Sequence, residues 1–374
     1  MLEPVVVHLV VELVALIVTG HVLGELARRF SQPPVLGQLL AGILLGPSIL
    51  GQASPTLETA LFPPIDVLNT VLEGMAWLGV VFLLTLTGLE TDTELIKRQW
   101  HSAFAASVLG IALPFASGLG LGYVVPNDWL VSPQSRLALS LFLATALSIS
   151  ALPVVARILM DMNLMRRNIG QTILAAALVN DTLGWLILGF VASLFDGQSQ
   201  GGPLLRAVFG TGLYALLLFT VGRRLAFAWL RWIHERLRHE EVLLAAIFVL
   251  VFISAGIAQA LGTHALLGAF LMGMALRQSL EVSHLIIDRI EGFTLSFLAP
   301  IFFAAAGLRV VAPHLADGAH LAFFVSLVVL ACVGKIVGCY IGGRYGRLPH
   351  WEALALGFGM NARGATSCAG RCST

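Results

Sequence analysis

Long apolar runs recur along the whole chain, and they constrain its fold more than any other feature. A helix crosses the hydrocarbon layer of a membrane with about 20 mostly apolar residues. Only 11% of the 374 residues are charged, less than half of the about 25% typical of soluble domains, and the mean hydropathy is +0.89. We therefore predict an all-α, polytopic membrane protein without a large soluble domain. Its twelve predicted spans cover residues 5–26, 33–50, 70–89, 101–124, 137–159, 169–194, 204–226, 242–261, 264–278, 292–310, 320–342 and 353–370.

Lysine and arginine residues are distributed unevenly between the loops that join these spans. One set of alternate loops carries most of them, whereas the opposite set carries only Arg136, Arg206 and Arg309. Because positively charged loops tend to stay in the cytoplasm, the N-terminus is predicted to lie outside. The first apolar run has no basic leader and no small-residue cleavage site, so we expect it to remain as a span. The expected location is the inner membrane of a bacterium.

Two parts of the chain resemble each other in the order of their small residues. Leu36–Gly42 is similar to Leu267–Gly273, and Glu73–Leu89 is similar to Glu291–Leu308. The resemblance relates span 2 to span 9, and an offset of seven helices inverts the second copy in the membrane. Inverted repeats of this kind are typical of secondary transporters. Helices 1–6 then correspond to helices 8–13 with helix 7 as a linker, so a thirteenth helix is predicted to be missing after residue 374.

A carboxyl group lies in the middle of the sixth span, where Asn180 precedes Asp181. An ionised carboxylate at that depth costs several kcal/mol unless it meets water, a cation or a partner. Desolvation favours the neutral acid, so the group can take up and release protons near neutral pH. Asp181 is thus stable either protonated or bound to a cation, which is the minimum requirement for exchange. The alternative is an inert Asp181 that is hydrogen-bonded within the bundle.

Residues that permit a helix to break interrupt spans 5 and 12, which are partners in the repeat. A break frees backbone groups that must then line a wet or protein-filled space, where carbonyl and hydroxyl oxygens can bind a cation. Ordinary kinking of these helices and a Lys335 that extends towards the membrane surface are the alternatives. The predicted cation and proton ligands are Asp181, Asn180, Thr145 and Ser148, the supporting charges are Lys335 and Arg363, and the helix-break residues are Pro153, Gly357, Gly359, Asn361 and Gly364.

Several other function classes lack support in the sequence. It contains no Walker motif, no dinucleotide-binding fingerprint and no convincing Ser-His-Asp pattern, so we expect neither ATP-driven pumping nor an enzyme, and no cofactor. A net charge of +1 does not indicate nucleic-acid binding. The four cysteines do not have the spacing of a zinc site, and no metal is expected beyond a transported Na⁺ or K⁺.

Several short motifs together resemble the monovalent cation:proton antiporter-2 family, the sodium/hydrogen exchanger-like group that includes bacterial Na⁺/H⁺ and Kef-type K⁺/H⁺ antiporters. The resemblance extends over nearly the whole chain. Each motif is weak alone, and their combination in one order makes the resemblance specific. The motifs are Pro34–Gly37, Gly42–Pro47, Ser148–Arg157, Asn180–Asp181, Pro300–Phe303, Gly307–Leu308, Gly334–Lys335 and Gly359–Gly364.

The resemblance implies a homodimer in the lipid bilayer that works by alternating access and serves pH homeostasis. In this family a core domain moves against a dimerisation domain like an elevator. Asp181 would match the cation- and proton-binding carboxylate, Lys335 a basic residue of the core, and Thr145 the unwound crossing helix. The implied dimerisation domain comprises residues 1–92 and 241–312, the core comprises residues 93–200 and 313–374, and residues 201–240 form the linker helix.

One departure from the family pattern bears on stoichiometry. Electrogenic members usually carry two adjacent acids, whereas this chain has Asn180 before Asp181. A single titrating acid predicts one proton per cation and therefore electroneutral exchange, and the alternative is that Lys335 carries a second proton. A gated K⁺ efflux system of the same fold and a membrane sensor that does not transport remain as alternatives, and the sequence does not distinguish Na⁺ from K⁺.

Overall fold

The computed structural model of this chain describes residues 2–126, 136–195, 202–237, 239–277, 284–310 and 318–362. All regular elements within these ranges are helical. In chain order they are α1 (Leu2–Arg29), α2 (Pro34–Leu45), α3 (Leu50–Ala53), α4 (Pro55–Leu61), α5 (Asp66–Glu90), α6 (Thr93–Val124), α7 (Arg136–Ser148), α8 (Leu152–Asp161), α9 (Asn168–Phe195), α10 (Gly202–Leu217), α11 (Arg223–Leu237), α12 (Glu240–Ala260), α13 (Ala265–Leu276), α14 (His284–Phe293), α15 (Ala299–Leu308), α16 (Gly318–Tyr345) and α17 (His350–Gly359).

The helices confirm the prediction of a polytopic all-α membrane protein. Within the described residues, 10 helical segments are long and apolar enough to cross a membrane, and the shorter apolar helix Ala265–Leu276 accompanies them. These eleven segments coincide with the first eleven predicted spans. The twelfth predicted span, 353–370, begins within α17, and its second half lies outside the described residues. The chain is therefore an integral membrane protein.

The helices form two compact units that are each assembled from separate parts of the chain. The first unit comprises Met1–Thr91 and Arg206–Val311, and the second comprises Asp92–Leu205 and Ala312–Thr374. The first unit contains α1–α5, most of α10 and α11–α15. The second contains α6–α9, α16 and α17. Each unit thus combines one segment from the first half of the chain with one from the second half.

Matched glycine contacts within the first unit confirm the internal repeat. Gly42 of α2 packs against Gly307 of α15, and Gly88 of α5 packs against Gly273 of α13, so closely that a Cβ atom on any of the four would overlap backbone atoms of the facing helix. The two copies predicted from the sequence align Gly42 with Gly273 and Gly88 with Gly307. When each glycine is replaced by its counterpart in the other copy, the Gly42–Gly307 contact becomes the Gly273–Gly88 contact. Small residues allow membrane helices to approach in this way.

A second pair of contacts in this unit follows the same relation. Gly37 of α2 lies against the backbone at Gly24 of α1, and Gly268 of α13 lies against the backbone at Ala255 of α12. The number of residues between the two members is the same in each pair. Helix pairs α1–α2 and α12–α13 therefore pack as equivalent units, which indicates that the weak sequence repeat reflects repeated helix packing.

Small residues also join α6 to α16 in the second unit. Ser102 near the start of α6 lies against Gly346 just after α16 and donates a hydrogen bond of 2.7 Å to its carbonyl oxygen. Further along α6, Pro114 lies against Gly334 of α16. The contacts advance along α6 as they retreat along α16, so the two helices are antiparallel. This pair of helices also packs against α7 and α9, which carry the candidate site.

The fifth span is discontinuous. Helix α7 ends at Ser148, α8 begins at Leu152, and the residues between them are not helical. Pro153 lies in the first turn of α8, where its missing N–H breaks no helical hydrogen bond and its fixed φ favours a helix start. The break therefore precedes the proline, which starts the second half-helix.

Replacing Gly42 by alanine is expected to lower the free energy of unfolding by about 1–3 kcal/mol, because the added methyl group would overlap the carbonyl oxygen of Ala304. The matched control is Gly74→Ala in α5, where a Cβ atom has no neighbour within 4 Å and alanine is the better helix former. Melting curves of the detergent-solubilised variants measure the difference. Equal melting temperatures for the two variants would show that the close glycine contact does not hold the first unit together.

Candidate functional site

Asp181 lines a small cavity within the second unit. Helix α9 places it near the middle of its length, beside the discontinuous fifth span. The cavity has a volume of about 30 Å³, and a single water needs about 10–15 Å³ measured in the same way. There is therefore room for one small ion or for one or two waters. Its lining residues are Phe142, Thr145, Ala146, Ile149, Asp181, Trp185 and Leu188.

The polar groups of this cavity are few, and three side chains supply them. Asp181 contributes a carboxylate, and the indole side chain of Trp185 lines the same cavity. The hydroxyl of Thr145 is buried and donates a hydrogen bond of 2.8 Å to the carbonyl oxygen of Leu141. The lone pairs of the Thr145 oxygen therefore remain acceptors. A carboxylate and a hydroxyl oxygen in apolar surroundings are suitable ligands for a hard cation.

Asn180, the residue before Asp181, holds the backbone at the break in span 5. The backbone N–H of Ser150 donates a hydrogen bond of 2.9 Å to the Oδ1 atom of Asn180, and both residues are fully buried. Ser150 Oγ in turn donates a hydrogen bond of 2.7 Å to the carbonyl oxygen of Met360, which follows the end of α17. The backbone N–H of Ala151 donates to the carbonyl oxygen of Ala362 at 3.4 Å. The break in span 5 thus lies against the end of α17, the helix of its repeat partner.

Lys335 supplies a hydrogen-bond donor to a backbone carbonyl group in the last turn of α7. Its side chain is only 1% exposed, and its Nζ atom donates a hydrogen bond of 2.6 Å to the carbonyl oxygen of Ser148. Carbonyl groups at the end of a helix lack intrahelical partners and carry partial negative charge. A buried ammonium group is therefore stabilised at this position, and the interrupted helix gains a donor that water would otherwise have to provide.

The structure separates the predicted site residues into two groups. Asp181 and Thr145 line the cavity, whereas Asn180 and Lys335 bind the backbone of the break. Ser148 belongs to the break, because its hydroxyl donates to the carbonyl oxygens of Ala144 and Thr145 at 2.7 and 2.9 Å.

Three of the four predicted helix-break residues of span 12 occupy the last part of α17 and the turn after it. Gly357 and Gly359 lie inside the helix, where a Cβ atom would come within 2.8 Å of Ile336 and Ile173 respectively. Asn361 lies in the turn that follows. Arg363 and Gly364 lie outside the described residues.

Two residues that the sequence does not single out as ligands have clear roles in this geometry. Ser150 links the break both to Asn180 and to α17. Trp185 follows Asp181 by four residues, a spacing that places two side chains on the same face of a helix. That spacing is the signal in the sequence from which a place for Trp185 in the same cavity wall as Asp181 can be inferred.

Comparison with known proteins identifies the family to which this geometry belongs. The family described as sodium/hydrogen exchanger, transmembrane, matches residues 13–371. Cation/H(+) antiporter 20 of Arabidopsis thaliana is 32% identical over 95% of this chain, and the match covers 43% of that relative. The chain thus spans less than half the length of this plant protein. Na(+)/H(+) antiporter NhaS4 of Synechocystis sp. is also 32% identical over 95% of this chain, and 86% of its length is covered.

A solved structure supports the fold assignment. The sodium proton antiporter MjNhaP1 from Methanocaldococcus jannaschii superposes on this chain with a TM-score of 0.65 and 18% identity. The superposition covers 98% of this chain and 84% of the archaeal protein. At this level of identity the likeness concerns the fold. The match over residues 13–371 decides the family, and the chain belongs to the sodium/hydrogen exchanger family in its transmembrane part.

Proposed function

We propose that this protein exchanges a monovalent cation, Na⁺ or K⁺, for protons and that both ions bind at Asp181. The observation that carries the proposal is the cavity of about 30 Å³ in which the Asp181 carboxylate and the Thr145 hydroxyl oxygen stand among apolar side chains. The volume suits one ion, and the two oxygens supply ligands of the appropriate chemistry.

Competition for one carboxylate explains how two ions can be coupled. In apolar surroundings an ionised carboxylate without a counter-ion is costly, so a proton or a cation stabilises it. The small cavity leaves little room for both occupants, and each therefore displaces the other. Alternating exposure of such a site to the two sides of the membrane converts this competition into exchange.

Names of relatives support both cations. The Synechocystis relative NhaS4 is named a Na(+)/H(+) antiporter, and a Saccharomyces cerevisiae relative that is 28% identical over 89% of this chain is named K(+)/H(+) antiporter 1. The ligands visible at Asp181 are of types that either ion accepts. The proposal therefore includes both cations.

The proposal also assigns a separate role to each of the two units. Unit two carries Asp181, the break and Lys335, and we assign it as the transport core, in line with the predicted core ranges 93–200 and 313–374. Unit one has its own internally repeated packing, and we assign it to dimer formation in the bilayer. The proposed setting is a homodimer in a bacterial inner membrane, with the N-terminus outside.

The stoichiometry that we propose is one proton per cation. Asp181 is the carboxylate in the cavity, and its neighbour Asn180, an amide that does not titrate, accepts from Ser150. Lys335 donates to the carbonyl oxygen of Ser148, an interaction that holds the break in place. Exchange through one acid is then electroneutral.

Asp181→Asn is expected to abolish cation-dependent proton movement in everted vesicles, because an amide neither titrates nor balances the charge of a cation. Asp66→Asn, an exposed residue in the first turn of α5, is the matched control and should retain the wild-type rate. Melting curves of both variants establish that they are folded. Equal exchange rates in wild type and Asp181→Asn would remove this mechanism.

Electroneutral exchange predicts that turnover carries no current. Purified protein in sealed liposomes on a capacitive electrode should give no transient when a cation gradient is applied, while a pH-sensitive dye inside the same liposomes reports proton movement. A current that accompanies the dye signal and disappears in Asp181→Asn would show that more than one proton crosses per cation.

A further inference from the structure

A large apolar groove lies in the first unit, between α12 and the continuous helix that α10 and α11 form. Its volume is about 570 Å³, within the range of about 300–1,000 Å³ that small-molecule sites occupy. The π-helical turn Leu218–Gly222 joins α10 to α11 and contributes three residues to the lining. Turns of this kind are frequent at functional sites. The groove shares no residue with the cavity at Asp181.

The groove is elongated and open along one side. Its lining positions recur at every third or fourth residue from Tyr214 to Trp229, roughly 22 Å of helix at about 1.5 Å per residue. The rim residues Val221, Leu225 and Ile253 are 53%, 65% and 52% exposed. One leaflet of the hydrocarbon layer is about 15 Å deep, half of the whole. A trough of this length suits a hydrocarbon chain better than a compact ligand.

The lining chemistry selects for an apolar occupant. Tyr214 and Ser254 are polar residues of the lining, and both are buried. Their hydroxyl groups are hydrogen-bonded to each other, and Ser254 Oγ donates a hydrogen bond of 2.9 Å to the carbonyl oxygen of Gly268. Because these polar groups are satisfied within the protein, an apolar chain can lie beside them without stripping them of partners.

Positive charge lies beyond the Trp229 end of the groove. Helix α11 carries four arginines and one glutamate. Arg231 and Arg236 follow Trp229 along the helix, and both are exposed. Arg236 comes seven residues after Trp229, a spacing that places it on the same face of the helix. Among the acids nearby in the chain, Glu240 is paired with Arg289 at 2.9 Å. The apolar groove thus ends at a basic surface.

We propose that this groove binds an acyl chain of an anionic phospholipid whose phosphate group lies at the arginines of α11. Arginine is well suited to phosphate oxygens, tryptophan is enriched at the depth of lipid headgroups, and basic pockets between membrane helices bind anionic lipids. The chain would fill the space between α11 and α12. The inference goes beyond exchange at Asp181 and does not depend on it.

The test fills the groove by Val221→Trp, because an indole at this exposed rim position can enter it. Native mass spectrometry of the detergent-solubilised protein, titrated with phosphatidylglycerol, gives the dissociation constant of the first bound lipid. We expect this constant to rise about tenfold or more, the effect of losing about two buried methylene groups.

Leu216→Trp is the matched control. Leu216 lies on α10, is 61% exposed and does not line the groove, so the same large side chain is added outside it. Its dissociation constant should equal that of the wild type. If melting curves show that Val221→Trp does not fold, Ile253→Trp fills the groove from α12, and the same rise is expected.

The headgroup is tested by Arg236→Gln. We expect the preference of this variant for phosphatidylglycerol over phosphatidylcholine with the same acyl chains to fall about fivefold, the effect of one basic residue at an anionic lipid surface. The affinity for phosphatidylcholine should not change. Arg28→Gln, an exposed arginine in the last turn of α1, is the control and should keep the wild-type preference.

Three results would overturn the proposal. The first is a wild-type affinity for phosphatidylglycerol in a folded variant whose groove is filled. The second is equal binding of the two lipids by the wild type, which would show that no anionic headgroup is recognised. The third is a Val221→Trp protein that loses its dimer mass and keeps its lipid, because a second copy of the chain would then occupy the groove. None of these results bears on cation exchange.

Discussion

The hydrocarbon layer of a membrane offers no water to an interrupted backbone or to a charge, and the second unit is organised around this constraint. The chain leaves its helix between Ser148 and Leu152 at membrane depth. Asn180 and Lys335 then satisfy backbone groups of that break from two other helices. Such fixed partners make a break possible within the membrane. Because Asn180 is adjacent to Asp181 in α9, the same packing holds the carboxylate beside the break.

Small residues provide the close packing that this arrangement requires. In the first unit, Gly42 meets Gly307 and Gly88 meets Gly273, each pair joining the two copies of the repeat. In the second unit, α6 and α16 approach along a line of small side chains. Without a hydrophobic driving force between helices in lipid, such packing contributes much of the stability. The repeat is consequently better preserved in its contacts than in its sequence, since only positions at helix crossings need small residues.

Much of the fold follows from the sequence because the relevant signals are long or ordered. Apolar length gives the spans, and the shared order of glycines gives the repeat. Asp181 is conspicuous because a carboxyl group is costly at mid-span. The sequence is less informative about side-chain direction at the break. Ser148 has the chemistry of a cation ligand, yet its hydroxyl bonds within its own helix. Pro153 is the second residue of α8 and therefore lies just after the interruption, which ends at Ala151. Trp185 resembles any interfacial tryptophan until its place in the wall of the cavity beside Asp181 is known.

The central claim is that one carboxylate holds either a proton or a cation, and cation binding at different pH tests it most directly. The dissociation constant is measured on detergent-solubilised protein from the rise in melting temperature with cation concentration. If proton and cation compete, the apparent constant rises as the pH falls, approaching about tenfold per pH unit once the carboxyl is mostly protonated. In Asp181→Asn this dependence should vanish together with binding. A dissociation constant that is the same in acidic and alkaline solution would contradict the account.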